Sequence, residues 1–265
     1  VEEYLRYFLK GIMNDNANTV RVQYLSDFHL ETKPASIDFS DYIVPQERIL
    51  LLAGDIAPAF HPKLPKFYGW CIDNFDLTIH IPGNHEYWSH LGLKHNISDT
   101  DRYLNELCNE YGIIYGQKKM IDIDNSVNLI CACLWTNIPN HLYYRGDFKN
   151  IANFNPKKQR EIHFDHVDFI QRGLRTSLKQ DKPAIVVTHH PPTEEGVLRE
   201  EHVNGKQKLA YINKLDNLAL KCNSWIFGHS HNVCDIDHGG ALLTSNPIGH
   251  CNEKLPYSRS AVVKI

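Results

Sequence analysis

The apolar positions of this chain fall into short blocks, not long stripes. Residues 20–25, 49–53, 77–81, 127–134, 184–188, 224–227 and 241–244 each read as a β-strand. Several are unbroken apolar runs, such as Ile-Leu-Leu-Leu-Ala from residue 49 and Ala-Ile-Val-Val-Thr from residue 184. An unbroken run suits a strand covered on both faces, whereas a strand with one wet face alternates. Helical patterns lie between the blocks. One spans residues 99–111, with an acidic start and Gly112 as its stop. Another spans 156–179, with Asn155 as N-cap and Pro156 in the first helical position. Strands alternating with helices predict an α/β fold. Residues 137–155 are polar, aromatic and Asn-rich without a period, and read as a long surface loop, either a lid over a site or a plain connection. No internal repeat or Gly/Ser linker divides the chain. The reading is therefore one domain over 20–265, preceded by a segment 1–19 that is either a short amphipathic helix or foreign to the fold.

Composition narrows the class. The chain has 265 residues, 42% apolar and 22% charged, in the range of ordinary globular proteins. A net charge of −3 gives no bulk polycation for nucleic acid, and no such partner is expected. No apolar run approaches the ~20 residues that span a bilayer, so no membrane partner is expected either. Glu2, Glu3 and Arg6 break up the first residues, which speaks against a secretory leader there. The seven cysteines have no zinc-like spacing. Cys131 and Cys133, two apart in an apolar block, read as reduced thiols on one strand face, and a cytoplasmic location is expected. Asn96-Ile97-Ser98 is a formal glycosylation sequon that carries little without a secretory route. The 16 histidines change the picture more, because several stand in pairs at short spacing and neutral imidazole is a common metal ligand.

Those histidines sit where the strands end. Residues 20–25 run into Ser26-Asp27-Phe28-His29, and 49–53 into Gly54-Asp55. Residues 77–81 lead to Pro82-Gly83-Asn84-His85-Glu86, 184–188 to His189-His190-Pro191-Pro192, and 224–227 to Gly228-His229-Ser230-His231. The carboxyl ends of strands in open α/β sheets form the ligand crevice, so these ends are expected to converge on one pocket. Taken singly, each motif has a bland reading as turn chemistry or an exposed histidine; the ordered set does not. Carboxylate, amide and imidazole donors without a thiolate suit Mn, Fe, Zn or Co. One Asp can bridge two cations, since its two oxygens and its charge offset their mutual repulsion. A metal pair roughly 3.5–4 Å apart holds a phosphoryl group and lowers the pKa of bound water.

The ordered set Asp-x-His, Gly-Asp, Gly-Asn-His-Glu, His-His-Pro-Pro and Gly-His-x-His resembles the calcineurin-like metallophosphoesterases, from Asp27 to His231. Thr244-Ser245-Asn246-Pro247-Ile248-Gly249 is similar to the strand and Asn-Pro turn that follow the last motif in small members. The resemblance implies a four-layer fold, a sandwich of two mixed β-sheets with flanking helices and the metals at one edge. It implies two divalent metal ions, manganese foremost, with Fe, Zn, Co or Ni as alternatives. Asp27, His29 and His231 match the ligands of the first metal, Asp55 the bridging carboxylate, and Asn84, His189 and His229 the ligands of the second. His85 matches a general acid or charge stabiliser, so that the catalytic pair is His85 and Asp55. Glu86 is expected to orient His85 or a ligand, and His190 to support a ligand or face substrate.

Two departures narrow the group. Ile56-Ala57-Pro58 follows Asp55 where serine/threonine protein phosphatases carry Asp-Arg-Gly, and Pro58 stands where purple acid phosphatases place a tyrosine. The implied activity is hydrolysis of a small phosphate monoester or diester. Tyr87, Trp88, His90, Trp135 and Tyr143-Tyr144-Arg145 are candidate pocket walls, against a reading of Trp88 and Trp135 as core. A nuclease would use the same metals with a basic groove; its candidate clusters, Lys118-Lys119 and Lys157-Lys158-Arg160, read more simply as solvated faces. A catalytically silent scaffold would lack ligands, and here the expected set is complete. His61, His80, His141, His163 and His166 read as surface or satisfied core histidines.

Overall fold

A computed structural model of the chain describes residues 19–139, 145–199, 205 and 208–265. Two sheets form its centre. Strands β1 (Arg21–Leu25), β2 (Ile49–Ala53), β3 (Leu77–Ile81), β4 (Ile114–Tyr115), β5 (Lys119–Ile123), β6 (Val127–Ala132), β7 (Ala184–Thr188), β8 (Ser224–Phe227), β9 (Cys234–His238), β10 (Ala241–Ser245) and β11 (Val262–Lys264) follow in chain order. The first sheet runs β11-β1-β2-β3-β4 and the second β5-β6-β7-β8-β10-β9. Both are mixed. Parallel pairs make the interior, and β11, β5 and β9 add antiparallel edges.

The unbroken apolar runs are explained by the layering. In β2, Ile49, Leu51 and Ala53 face the second sheet and pack with Leu129, Cys131, Ile185 and Val187. The alternate residues Leu50 and Leu52 face outward onto Phe67 and Tyr68 of the helix Lys63–Asn74 and Leu104 of the helix Ile97–Glu110. On the far side Ile130, Val186, Trp225 and Leu243 pack against Ile170 and Leu174 of the helix Pro156–Lys179. The order is helix, sheet, sheet, helix, the expected four-layer α/β arrangement. Each fully buried aliphatic side chain contributes roughly 1.5–3 kcal/mol to holding these layers.

The expected strands are present with small shifts. The block 127–134 ends as a strand at Ala132, and Leu134 turns into the left-handed region at φ 54°. Cys131 and Cys133 therefore do not share a face. Cys131 lies between the sheets, while Cys133 joins Tyr87 and Trp135 in a separate cluster. All seven thiols are free. Asn155 caps the helix Pro156–Lys179 by accepting from Lys158 N, and Asn96 of the sequon caps the helix Ile97–Glu110 by accepting from Asp99 N. The helix Lys63–Asn74 is absent from the sequence reading because Pro65 and Gly69 interrupt its pattern. Pro65 sits in the first turn, where its missing N–H costs nothing.

The segment 137–155 is not a surface loop throughout. Residues Arg145–Asn150 are helical, and Phe148, Ile151 and Phe154 are buried with Trp135. Residues 1–18 of the leading segment, His141, Tyr143 and Tyr144, and the Arg145 side chain lie outside the described residues. Among the described residues no helix is long and apolar enough to cross a membrane.

Candidate metal centre

The strand ends that carry the motifs meet at one edge of the sandwich. The first sheet is tied to the second there by a bridge between Ser26 and Pro247, with Ile248 N donating to Ser26 O and Gly249 N to Asp27 O. The stretch after β10 is thus a structural clasp for the Asp27 turn. Turning this sharply out of a strand puts Asp27, His29, Asp55, His229 and His231 in the left-handed region, at φ between 49° and 65°. Such backbone costs of order 1–3 kcal/mol per residue and persists only where surroundings over-determine it. Gly83 and Gly228 permit the approach of the loops, since a Cβ on either would run into the carboxylate of Asp55 or Asp27.

Glu86 is one of the pins. It is fully buried and accepts from the amides of Asp55 (2.9 Å), Ile56 (2.7 Å) and Gly83 (2.7 Å). Its carboxylate holds the backbone of the Asp55 turn, so of the two expected roles, orienting His85 or orienting a ligand, these bonds serve the second. Asp27 accepts from His229 N, and Asp55 Oδ1 accepts from His85 N at 2.8 Å, so each carboxylate also stitches two loops.

The expected ligand atoms converge. On one side His231 Nε2 lies 3.3 Å from Asp27 Oδ1 and 3.1 Å from His29 Nε2, and His29 Nε2 lies 3.8 Å from Asp55 Oδ2. On the other side His189 Nε2 lies 3.3 Å from Asp55 Oδ1 and 3.0 Å from Asn84 Oδ1. Asp27, His29 and Asp55 form one group able to hold a cation; Asp55, His189 and His229 form another. Asp55 belongs to both, one oxygen turned to each. The two candidate metal-ligand clusters are what a dinuclear site requires.

Each imidazole uses its second nitrogen on a fixed acceptor, which sets its orientation. His29 Nδ1 meets Glu31 Oε1 at 3.0 Å, and His231 Nδ1 meets Glu253 Oε2 at 2.6 Å. His189 Nδ1 donates to Ala53 O at 3.0 Å, and His229 Nε2 to Ala210 O at 3.3 Å, which leaves the other nitrogen of each for the site. Asn84 donates from Nδ2 to Asp147 Oδ1 at 2.9 Å, so its Oδ1 faces His189. Glu31, Glu253 and Asp147 were not singled out in the sequence. For Glu31 the signal was a carboxylate two residues beyond His29. For Asp147 and Glu253, remote in sequence from their partners, there was none.

Charge follows from this packing. Burial opposes ionisation of Asp55, but His189 and then His85 hold it well below the usual carboxylate range. Burial likewise opposes Asp27, and His231 outweighs it. In return, against the cost of burial, Asp55 raises His189 to about 9, and Asp27 with Glu253 raises His231 to about 10. The carboxylates call for positive charge at this spot, as a cation site does. Burial and then His190 and His189 push His229 well below its usual value, which favours a neutral imidazole able to ligate.

His85 is half-buried beside the clusters, with Nε2 4.0 Å from Asp55 Oδ2 and its ring stacked on Trp88 at 3.6 Å between centroids. His250, from the stretch after the Asn-Pro turn, is a further histidine not expected at the site. Its ring lies 3.9 Å from that of His29, and its nitrogens group with those of His29 and His231. His190 is fully buried, with Nδ1 3.3 Å from Cys133 O and its ring 4.2 Å from that of His229. Tyr87 and Trp135 are core, not pocket walls. Trp88 is half-buried and its Nε1 donates to Asp147 Oδ1 at 2.7 Å; His90 packs edge-on against His61. His80, His163 and His166 are satisfied core histidines, bonded to Tyr68 and Glu86, to Trp135 O and to Leu134 N.

Comparison with known proteins places this arrangement. The family model for calcineurin-like phosphoesterases matches residues 21–233. The uncharacterized protein L509 of Acanthamoeba polyphaga mimivirus is 27% identical over 278 residues, spanning 92% of this chain and 96% of that protein. The crystal structure of a phosphopantetheinyl hydrolase from Mycobacterium tuberculosis superposes with a TM-score of 0.67 at 18% identity, over 91% of this chain and 95% of that one. A protein from Thermus thermophilus superposes at 0.51 with 11% identity, over 86% and 88% of the two chains. At these identities the likeness to the solved structures is one of fold.

Proposed function

The chain belongs to the calcineurin-like phosphoesterases, and from that premise we propose that it hydrolyses a small phosphate monoester or diester at a dinuclear metal centre. The observation that carries the reading is the division of Asp55, whose Oδ1 faces His189 and whose Oδ2 faces His29. In this reading Asp27, His29 and His231 would hold one divalent ion, Asn84, His189 and His229 would hold the other, and Asp55 would serve both. Such a pair would supply a water of lowered pKa and positive charge for the phosphoryl oxygens. Carboxylate, amide and imidazole donors without a thiolate suit manganese, iron, zinc or cobalt, and manganese is the ion to supply first.

The protein's own part is orientation and proton supply. The acceptors Glu31, Glu253, Ala53 O and Ala210 O fix the ligand rings before substrate arrives, which limits the reorganisation that must accompany the reaction. His85, its ring held by Trp88 and Nε2 turned inward, donates a proton to the leaving oxygen or stabilises charge on the phosphoryl group. Without a cation at the site, burial lowers the proton affinity of this imidazole, but Asp55 and Glu31 raise it overall.

A small substrate is favoured over a nucleic acid because the basic clusters are short and one lysine of each is paired with a neighbouring carboxylate. Lys118 pairs with Asp165 at 2.6 Å and Lys158 with Glu161 at 3.7 Å. The test is hydrolysis of an aryl phosphate monoester against the matching diester, with Mn²⁺ supplied and then chelated. Turnover of either that chelation abolishes and Mn²⁺ restores is expected. Turnover indifferent to chelation, or none on either ester with two metals bound per chain, overturns the reading.

A further inference from the structure

Glu31 lies in the short 3-10 turn Leu30–Thr32 that follows His29. Its Oε1 is 3.0 Å from His29 Nδ1 and also 3.2 Å from His85 Nδ1. The two rings approach edge to face, 4.5 Å between centroids, so one carboxylate oxygen receives both. Oε2 is buried without a hydrogen-bond partner among the described residues.

Two contacts hold the His85 ring, and they do different things. Stacking on Trp88 fixes the plane, with Trp88 anchored to Asp147. A stacked imidazole can still turn over by 180°, which would exchange Nδ1 and Nε2 with ring carbons. Hydrogen bonding at Nδ1 is what selects one face of the ring. With Nδ1–H donating to Glu31, Nε2 points to Asp55 Oδ2 and the interior of the site.

We propose that Glu31 is the positioning residue of His85: its carboxylate keeps Nε2 presented to the leaving oxygen of the substrate. The proposal rests on the hydrolytic reading above. In that step the bond from phosphorus to the ester oxygen breaks, phosphorus bonds to the oxygen derived from water, and the leaving oxygen takes the Nε2 proton. Glu31 receives no proton and touches no substrate. It acts on turnover through His85 and, separately, supports His29.

A double-mutant cycle separates these two contacts. Glu31→Ala, His85→Ala and the double variant are compared at saturating Mn²⁺, with bound metal counted by mass spectrometry and an alkyl phosphate as substrate. Glu31→Ala is expected to lower kcat roughly 10–100-fold at full metal occupancy with KM little changed, and to cost nothing further in the His85→Ala background. Glu31→Gln, which keeps an acceptor oxygen, should recover part of the loss. Multiplying losses in the double variant, or full recovery of kcat by excess Mn²⁺, would place the whole effect on His29 and overturn the proposal. Nitrogen NMR of labelled imidazoles in the metal-free protein reads the pairing without turnover. Wild type should show a slowly exchanging His85 Nδ1 proton that Glu31→Ala loses, and its persistence in the variant would overturn the pairing. A wild type that hydrolyses no ester would sink the hydrolytic reading, and with it Glu31's role in catalysis, while the NMR signal would still report whether the two side chains pair.

Discussion

The two halves of the candidate centre are built from the same kinds of side chain but supported differently. On the Asp27 side both histidines lean on carboxylates, His29 on Glu31 and His231 on Glu253. On the Asn84 side both lean on neutral backbone carbonyls, Ala53 O and Ala210 O, and the third donor is a neutral amide. A carboxylate behind an imidazole raises its basicity and adds negative charge near the cation. Asp55 is shared, so the first half has the greater call on a divalent ion. Similar ligand lists therefore need not mean equal sites; the atoms behind the ligands set the difference.

The comparison is broken most completely at its shared member. Asp55→Asn should abolish the distinction by emptying both halves, with metal content and turnover falling together, turnover by about 10³-fold or more. Retention of two metals by this variant, read by mass spectrometry, would remove Asp55 from the bridge. His85→Ala should leave both halves loaded and lower turnover by about 10²–10⁴-fold, and wild-type turnover in that variant would end its assignment.

The difference between the halves is sharpened by graded chelation. One metal equivalent should leave before the other, and Glu253→Gln should weaken retention of the tighter one by roughly 10–100-fold. Simultaneous loss of both from wild type would show the halves to be equal.

Acid gives the smallest effect and bears on the second half. His166 accepts from Leu134 N at 3.1 Å, beside Cys133, whose carbonyl receives the amides of His189 and His190. Burial holds the His166 imidazole down at about 3 against a usual value of 6.5. The unfolded chain therefore takes up this proton first. The stability that neutral His166 confers is complete above pH 6.5 and is lost progressively as pH falls toward 3. His166→Gln, which keeps an acceptor for Leu134 N, should flatten that part of the stability profile, by about 1–2 kcal/mol at pH 5. An unchanged slope in denaturant titrations would show that His166 does not carry it.

The buried scaffold was largely legible. Residues 49–53 and 184–188 read as strands covered on both faces because runs of five and of four consecutive apolar side chains leave no wet side, and the sandwich with its helical layers is what covers them. Edge strands β5 (Lys-Met-Ile-Asp-Ile) and β9 (Cys-Asp-Ile-Asp-His) were missed, since edges tolerate charge and carry little apolar signal. The segment 137–155 was misread because its helix, Arg145–Asn150, is only six residues long, and three apolar side chains, Phe148, Ile151 and Phe154, are too few among polar neighbours to announce a buried segment.

At the site, the sequence by itself determined which donors stand at strand ends, because each motif is contiguous with the apolar run that positions it. It also determined their donor chemistry, since Asp, Asn and His without thiolate offer oxygen and imidazole nitrogen to a divalent cation. Only the tertiary structure decided what stands behind those donors. Asp147 reaches Asn84 across 63 residues, and Glu253 reaches His231 across 22 residues from beyond the Asn-Pro turn. Glu31 lies only two residues from His29, yet its second partner His85 comes from a different strand end. A hydrogen bond depends on where two atoms meet in space, and a one-dimensional pattern carries that information only for residues that share a turn or a strand.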